Sequence, residues 1–574
     1  MSLKKKTAAT VGAIAIAATV LLEGSSASAV TPNNWNGPVA PIPGAVRGGT
    51  VTLLEQGDFE HLDPARNYVG GALDFYRLMV RTLVSFRTVN GKSDLAPDLA
   101  SDLGTTPDAG KTWTFKLRQG LKYEDGSIIK CEDIKYGTMR SFAADVLDGG
   151  PSYPIDFISS PEGYKGPYAE PNKDLSGVIC SPKGDSITYK LQTPVPYFPY
   201  IVTFGAFSPV PKAKDTKQNY DLRPFSAGPY KVESYQRGKR LTLVRNKYWD
   251  PKTDPIRWNY PDKFVVKMGS DQNIVENMII SDSGEAQTSV AADTNITTNL
   301  AKVLDNPKYK NRLFNYASTY SRYYAINVDT VKDLNVRKAI QCAFDYKSIL
   351  LAAGGTTAGV YSNSTIPFAI KDAYRPFNIC GRDVIKHPEA QIDAAKAFLA
   401  KATDKKTTIK LAFRDKGLEP LRAAALEQSL QAAGFTVVMQ KMPKAGYYTA
   451  IGKRGVPEEA DIIQTSWSPD WMAASGVVYA LYDGRIMTAD DAKFNLQRDN
   501  FPDVQAMFLK SEKVSGKAQE KILGDIEQNL IVDKACVMPI YFETSHNMAG
   551  SKIGGLQVDG GYADLSVLGA YVKK

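Results

Sequence analysis

From Thr50 onward, apolar and polar positions fall into short runs whose period changes along the chain. TVTLLEQ (Thr50–Gln56) alternates with period two and predicts a strand. Leu73–Val84 carries its apolar residues at helical spacing and predicts a helix. Asn90-Gly91 is a tight-turn signal. WTFKLR (Trp113–Arg118) predicts a strand, EDG (Glu124–Gly126) a turn, Cys131–Phe142 a helix and ITYKL (Ile187–Leu191) another strand. GPYKVESYQRGKRLTLVRN (Gly228–Asn246) reads as a hairpin folded across Arg237-Gly238. Further on, helices at Ala394–Ala402 and Leu421–Ala433 alternate with strands at Thr408–Phe413, Thr436–Met442 and Ala460–Trp467. That order predicts a mostly parallel sheet with crossover helices, an α/β fold.

The first residues follow a different pattern. Lys4–Lys6 form a positive segment, Val11–Leu22 an apolar core, and Ala27-Ser28-Ala29 offers small residues to a signal peptidase. This is a secretory signal over residues 1–29, with cleavage expected before Val30. A membrane anchor needs ~20 apolar residues, and Glu23 ends this run well short of that. Residues 30–48 are proline-rich and aperiodic and read as a flexible linker, so the folded part is expected to begin near Gly49.

Composition narrows the function. The 574 residues are 43% hydrophobic and 23% charged, which is globular material. The net charge of +9 falls to +7 once the signal is removed, and it is spread thinly. A nucleic-acid surface would gather that charge on one face, so no nucleic-acid partner is expected. Three histidines, His61, His387 and His546, lie far apart, and no CxxC occurs. GxSxG, HExxH, GxxxxGK[ST] and GxGxxG are all absent, so no metal, cofactor or catalytic residue is assigned. Cys131, Cys180, Cys342, Cys380 and Cys536 make an odd count, which leaves at least one thiol unpaired within the chain. Cys342, in the helical run VRKAIQCAFDY, and Cys536, in KACVMPIYF, read as buried small hydrophobes.

Six segments in order resemble the extracytoplasmic solute-binding proteins of peptide-type ABC importers, the family of oligopeptide- and dipeptide-binding proteins. They are Leu95–Gly137 (LAPDLASDLGTTPDAGKTWTFKLRQGLKYEDGSIIKCEDIKYG), Val195–Ala213 with its Pro-Val-Pro turn, Ser226–Asp250 (the GPY…RN–YW block), Tyr323–Asp345, Ser466–Gly484 and Val537–Glu543. The resemblance implies a type II periplasmic-binding-protein fold. Lobe I would hold residues 49–319 and 538–574, with an extra subdomain at 86–195, and lobe II residues 320–537. The chain would cross between lobes near Tyr320 and near Pro539. Cys131–Cys180 is the preferred disulfide, because both cysteines fall in the same subdomain.

The resemblance also implies a mechanism: two lobes close over a peptide and release it, unaltered, to a permease in the membrane. Asp470 matches the aspartate that holds the peptide's α-ammonium, and it follows a strand directly, where ligands gather at strand ends. Trp467, Ser468 and Trp471 flank it, with the lobe II core as the alternative setting for Trp467. Gly57, Asp58 and Phe59 correspond to the lobe I edge that touches ligand. Tyr447 and Tyr541 correspond to cleft-facing aromatics, and Tyr320 and Tyr323 lie near the first crossing. Two features depart from the family. Val30, not a lipid-anchor cysteine, follows the cleavage site, and Asp345-Tyr346 stands where Asp-Arg is usual. The expectation is an exported, periplasmic or cell-surface monomer that binds oligopeptides and is no enzyme. The alternatives are the same module for a sugar, opine or metal chelate, or a secreted hydrolase.

Overall fold

The computed structural model describes residues 37–574, apart from 90, 91, 369, 457, 458, 515 and 563. The signal segment, the start of the linker and the Asn90-Gly91 turn lie outside the described residues. Residues 37–48 do not run free. Val39 and Gly48 donate their N–H groups to the carbonyls of Asp254 and Tyr260, and Ala40 accepts from the Trp258 indole. The expected linker is, in its described part, a strap tied to the body by backbone pairing.

Eleven strands form one sheet. From one edge the order is Thr436–Met442, Thr408–Arg414, Ile462–Trp467, Leu313–Ile326, Val537–Ala549, Ser289–Ala291, Thr50–Leu54, Lys263–Lys267, Arg240–Arg245 and Tyr230–Gln236. Gly359–Tyr361 pairs off this path with Val537–Ala549. Thr408–Arg414 is parallel to both its neighbours, as is Thr50–Leu54. The middle of the sheet is antiparallel. The sheet is therefore mixed, not mostly parallel, because two long strands run through its centre and each pairs with the other in the opposite sense. The fold class is α/β, as the period changes in the sequence imply.

Those two strands join two hydrophobic cores. One core is built from residues such as Val51, Leu78, Phe198, Phe264 and Leu568, and the other from Ile326, Ile340, Leu411, Ile463 and Ile540. A third, small cluster around Ile279 and Met548 caps the first. Leu313–Ile326 starts beside the small cluster and ends inside the second core, and Val537–Ala549 runs the other way. Their ladder breaks between Ala317 and Ser321 and again after Arg322. A pair of strands with an interrupted ladder can bend there without unpacking either core.

The helix expected over Leu73–Val84 is shorter. Gly70–Phe75 is α-helical, Tyr76–Leu78 tightens to a 3-10 turn, and the chain is extended again from Val84. Tertiary bonds win here. The Met79 carbonyl accepts from the N–H groups of Ala227 and Gly228, and buried Arg81 pairs with Asp98 at 2.7 Å. The helices at Cys131–Arg140, Leu334–Ala343, Ile392–Lys401 and Glu419–Ala432 match their expected positions within a few residues. Asp333 caps the second of these by accepting the Asn335 N–H at 2.7 Å.

Cys131 bonds Cys180, tying that helix to the three-stranded antiparallel sheet of Thr112–Lys116, Ser186–Lys190 and Val178–Cys180. Cys342 is not a free core thiol as expected: it bonds Cys380. Helical spacing places a cysteine on the buried face but does not reveal a partner on a loop. Cys536 is free and buried.

Candidate functional site: an enclosed interlobe cleft

A cavity of about 580 Å3 lies between the two cores, walled on one side by Tyr68, Thr203 and Asp564 and on the other by Arg414, Tyr448 and Trp467. The strand-end segment Trp467–Asp470 lines it because Ile462–Trp467 stops at the cleft and the chain must turn there. The walls touch across the gap. Lys416 and Lys444 each place Nζ 3.4 Å from Asp293, and the Thr449 hydroxyl donates to Glu60 at 3.3 Å. The two halves are closed on one another.

Asp470 is the focus of these contacts. Tyr68 donates its hydroxyl to Asp470 Oδ2 at 2.6 Å, and Tyr153 donates to the same oxygen. The two hydroxyls lie 2.9 Å apart. Both tyrosines pack on the first core, more than three hundred residues earlier in the chain. Among the described residues no lysine, arginine or histidine pairs with Asp470. Burial pushes its carboxyl up to about 7, and the Tyr153 and Tyr68 hydrogen bonds only partly oppose that. The Tyr68 and Tyr153 hydroxyls are themselves pushed far up by burial and by the adjacent carboxylate, so both remain donors.

The other expected residues divide. Trp467 lines the cavity, its ring edge-on to Tyr68 at 5.9 Å and its Nε1 donating to the Gly476 carbonyl at 3.1 Å. Ser468 lines it too and shares a 2.8 Å bond with Thr319. Tyr320, Tyr323 and Tyr541 contribute to the wall, and Tyr541 accepts from Arg422 at 2.9 Å. Gly57, Asp58 and Phe59 line a smaller adjoining cavity of about 50 Å3. Asp58 turns to the hairpin tip, accepting from the Gly238 N–H at 2.7 Å and pairing with Arg237 at 3.1 Å. Phe59 stacks on Phe75 at 5.1 Å.

Two expectations are corrected. Tyr447 is buried and donates to the Gln464 carbonyl at 2.7 Å, and its neighbour Tyr448 faces the cavity instead. The helix Tyr447–Gly452 begins at that position, so adjacent side chains diverge by about a quarter turn or more. Trp471 lines neither the cavity nor the second core. It lies in the first core, stacked on Tyr197 at 5.2 Å and near Tyr153 at 5.8 Å.

Sequence reading missed Tyr68, Tyr153, Asp293, Lys416, Lys444 and Asp564. The tyrosines sit in a loop and a five-residue helix with no periodicity to mark a face. Asp293 follows a three-residue strand. Lys416 just after Thr408–Arg414 and Lys444 just after Thr436–Met442, two parallel strand ends, offered a local signal.

Residues 94–489, more than two thirds of the chain, match the family described as bacterial extracellular solute-binding proteins, family 5 Middle. The chain is 26% identical over 461 residues to the probable D,D-dipeptide-binding periplasmic protein DdpA of Escherichia coli K12, covering 76% of this chain and 77% of that protein. Its fold superposes on the clavulanic acid biosynthesis oligopeptide binding protein 2 with a TM-score of 0.78 and 26% identity, over 94% of this chain and 98% of that one. Listeria monocytogenes OppA bound to peptide gives a TM-score of 0.72 at 17% identity, over 92% and 99%, a likeness of fold.

Proposed function

The chain belongs to family 5 of the bacterial extracellular solute-binding proteins, and we propose that it captures oligopeptides by lobe closure and delivers them to the permease of an ABC importer. It has the type II periplasmic-binding fold. In this reading lobe I comprises residues 49–319 and 538–574 with its subdomain at 86–195, and lobe II residues 320–537. The division of the hydrophobic core and the broken ladder near Tyr320 support the first crossing, while Met538, Ile540 and Tyr541 still pack in the second core and put the return a few residues past Pro539. The protein acts as an exported monomer, binds no nucleic acid, and releases its ligand chemically unchanged. No described helix is long and apolar enough to cross a membrane.

The observation that carries this reading is Asp470. A carboxylate enclosed in a cleft, bonded by two hydroxyls of the opposite lobe and matched by no cation, is the complement of a peptide α-ammonium. Burial holds its carboxyl near 7; an incoming ammonium supplies the charge that ionises it. Binding then spans both lobes, because the ammonium bonds Asp470 from lobe II while the tyrosines of lobe I hold the same group. Shifting such a clamp from mostly open to mostly closed takes about 5.5 kcal/mol of preferential binding, within reach of one buried charge pair and several backbone bonds. Trp467, Ser468, Tyr320, Tyr323 and Tyr541 form the surrounding wall.

Denaturing the protein purified from its native secretion route, after incubation with a peptide mixture, and reading the released ligand by mass spectrometry tests this function. Intact peptides with free amino termini are expected. A sugar, opine or chelate in their place, or truncated peptides accumulating with time, overturns it.

A further inference from the structure

The charged groups around the cleft are mostly matched. Arg322 pairs with Glu543 at 2.6 Å and Glu419 at 3.2 Å, Arg414 pairs with Glu419 at 2.6 Å, and Lys493 with Asp491 at 3.1 Å. Lys416 and Lys444 share Asp293. Three lining carboxylates form no ion pair among the described residues: Glu60, Asp470 and Asp564. Glu60 accepts from Thr449, and Asp470 from two tyrosines. Among the described residues Asp564 accepts only the N–H of its own neighbour, Leu565, at 2.8 Å.

Asp564 lines both the main cavity and the small one that adjoins it, so it stands where the two meet. Glu55 lines the small cavity, is 4% exposed, accepts the backbone N–H of Asp293 and forms no ion pair among the described residues. At this end of the cleft Asp293 takes both lysines, Lys416 and Lys444, and Glu419 takes Arg414, which leaves Asp564 without a cation among the described residues. Burial, then the charges of Asp293 and Asp74, push the Asp564 carboxyl well above its usual range.

We propose that Asp564 is a specificity-determining residue that pairs with the side chain of a lysine or arginine in the bound peptide, with Glu55 behind it, so that the cleft favours basic peptides. This rests on the reading of the cleft as a peptide site anchored at Asp470. A ligand cation gains most where water is excluded and a lining carboxylate has no cation of its own. The apolar stem of such a side chain lies along the aromatic wall at Tyr320 while its charged end reaches Asp564. A neutral side chain of the same length leaves Asp564 to be neutralised by a proton.

The test is calorimetric titration with alanine peptides of three to five residues, each position replaced in turn by lysine or by its neutral counterpart norleucine. The wild-type protein is expected to bind the lysine peptide at least tenfold more tightly than the norleucine peptide at one position or more. In Asp564→Asn that ratio is expected to collapse to within about twofold, with thermal melting confirming a folded protein. A wild-type ratio near one at every position overturns the proposal without any variant, and so does a ratio that survives in Asp564→Asn. If none of these peptides binds the wild type, the peptide reading of Asp470 falls first, an outcome distinct from binding without charge preference.

Discussion

Trp471 packs in the first core and stacks on Tyr197, ring centroids 5.2 Å apart and planes 28° from parallel. Its Nε1 donates back to Ser475 at 2.9 Å, while Tyr153, which donates to Asp470, lies 5.8 Å away. The ring beside the proposed ammonium anchor is therefore expected to latch its segment to the first core.

Removing the latch should weaken closure more than folding. Each aromatic pair is worth about 0.5–1.5 kcal/mol beyond its buried area, and Trp471 has two close partners in the first core. Trp471→Ala is expected to lower peptide affinity by roughly ten- to a hundredfold and to raise the radius of gyration of the free protein in small-angle scattering. Wild-type affinity together with an unchanged scattering profile would show that the stacking is incidental.

The Asp470 carboxyl sits near 7 in the free cleft because burial disfavours its charge. Binding an ammonium requires it ionised, so affinity for a peptide with a free amino terminus should fall as pH drops below 7, by roughly tenfold per unit. Above about 8 the peptide's own amino group loses its proton, and affinity should fall again. Asp470→Asn is expected to cost roughly 2–5 kcal/mol of binding and to abolish the acid limb. Calorimetry from pH 5 to 9 decides; a flat profile for the wild type removes the charge pairing.

How much of this was legible in sequence depends on range. Asp470 is legible because the block Ser466–Gly484 resembles the family segment that holds the ligand-facing aspartate, and its place just after the strand that ends at Trp467 agrees with that. Its partners Tyr68 and Tyr153 are not, because only the closed tertiary structure brings a loop and a short helix of one lobe against the other. Period-two and helical spacing located most elements within a few residues. Periodicity failed at Leu73–Val84, where the Met79 carbonyl and buried Arg81 take partners outside the segment. It misassigned Cys342 for the same reason: spacing reports which face is buried, not what the buried atom meets.

That second disulfide gives a stability test. Cys342–Cys380 closes a segment with a sequence separation of 38 residues and pins the helix Leu334–Ala343 to a loop that returns beside it. Constraining the unfolded chain over such a loop is worth roughly 2–4 kcal/mol. The double variant Cys342→Ala and Cys380→Ala should melt at a clearly lower temperature while Asp470, in another segment, still binds peptide in the cold. An unchanged melting temperature would mean the bridge does not form in the exported protein.

Glu55 gives the sharpest pH test of folding, because its environment opposes its charge. Burial raises its carboxyl most, and the Asp293 charge raises it further. Lys444 and Lys416 oppose this without cancelling it, so it titrates near 8 when folded against 4.5 as its ordinary value. Between those two pH values the folded chain keeps a proton that the unfolded chain has released, so stability falls as pH rises through that window and the loss is complete above 8. Below about 4.5 both states are protonated and the effect vanishes. Glu55→Gln carries no charge to lose. Its melting temperature should match the wild type at pH 4 and exceed it at pH 9, by an amount corresponding to about 1–3 kcal/mol, the cost of a buried polar group left unmatched. Thermal melting of the two proteins at both pH values settles the sign. A variant that is less stable than the wild type at pH 9 would mean that Glu55 is ionised in the fold and held by Lys444 and Lys416.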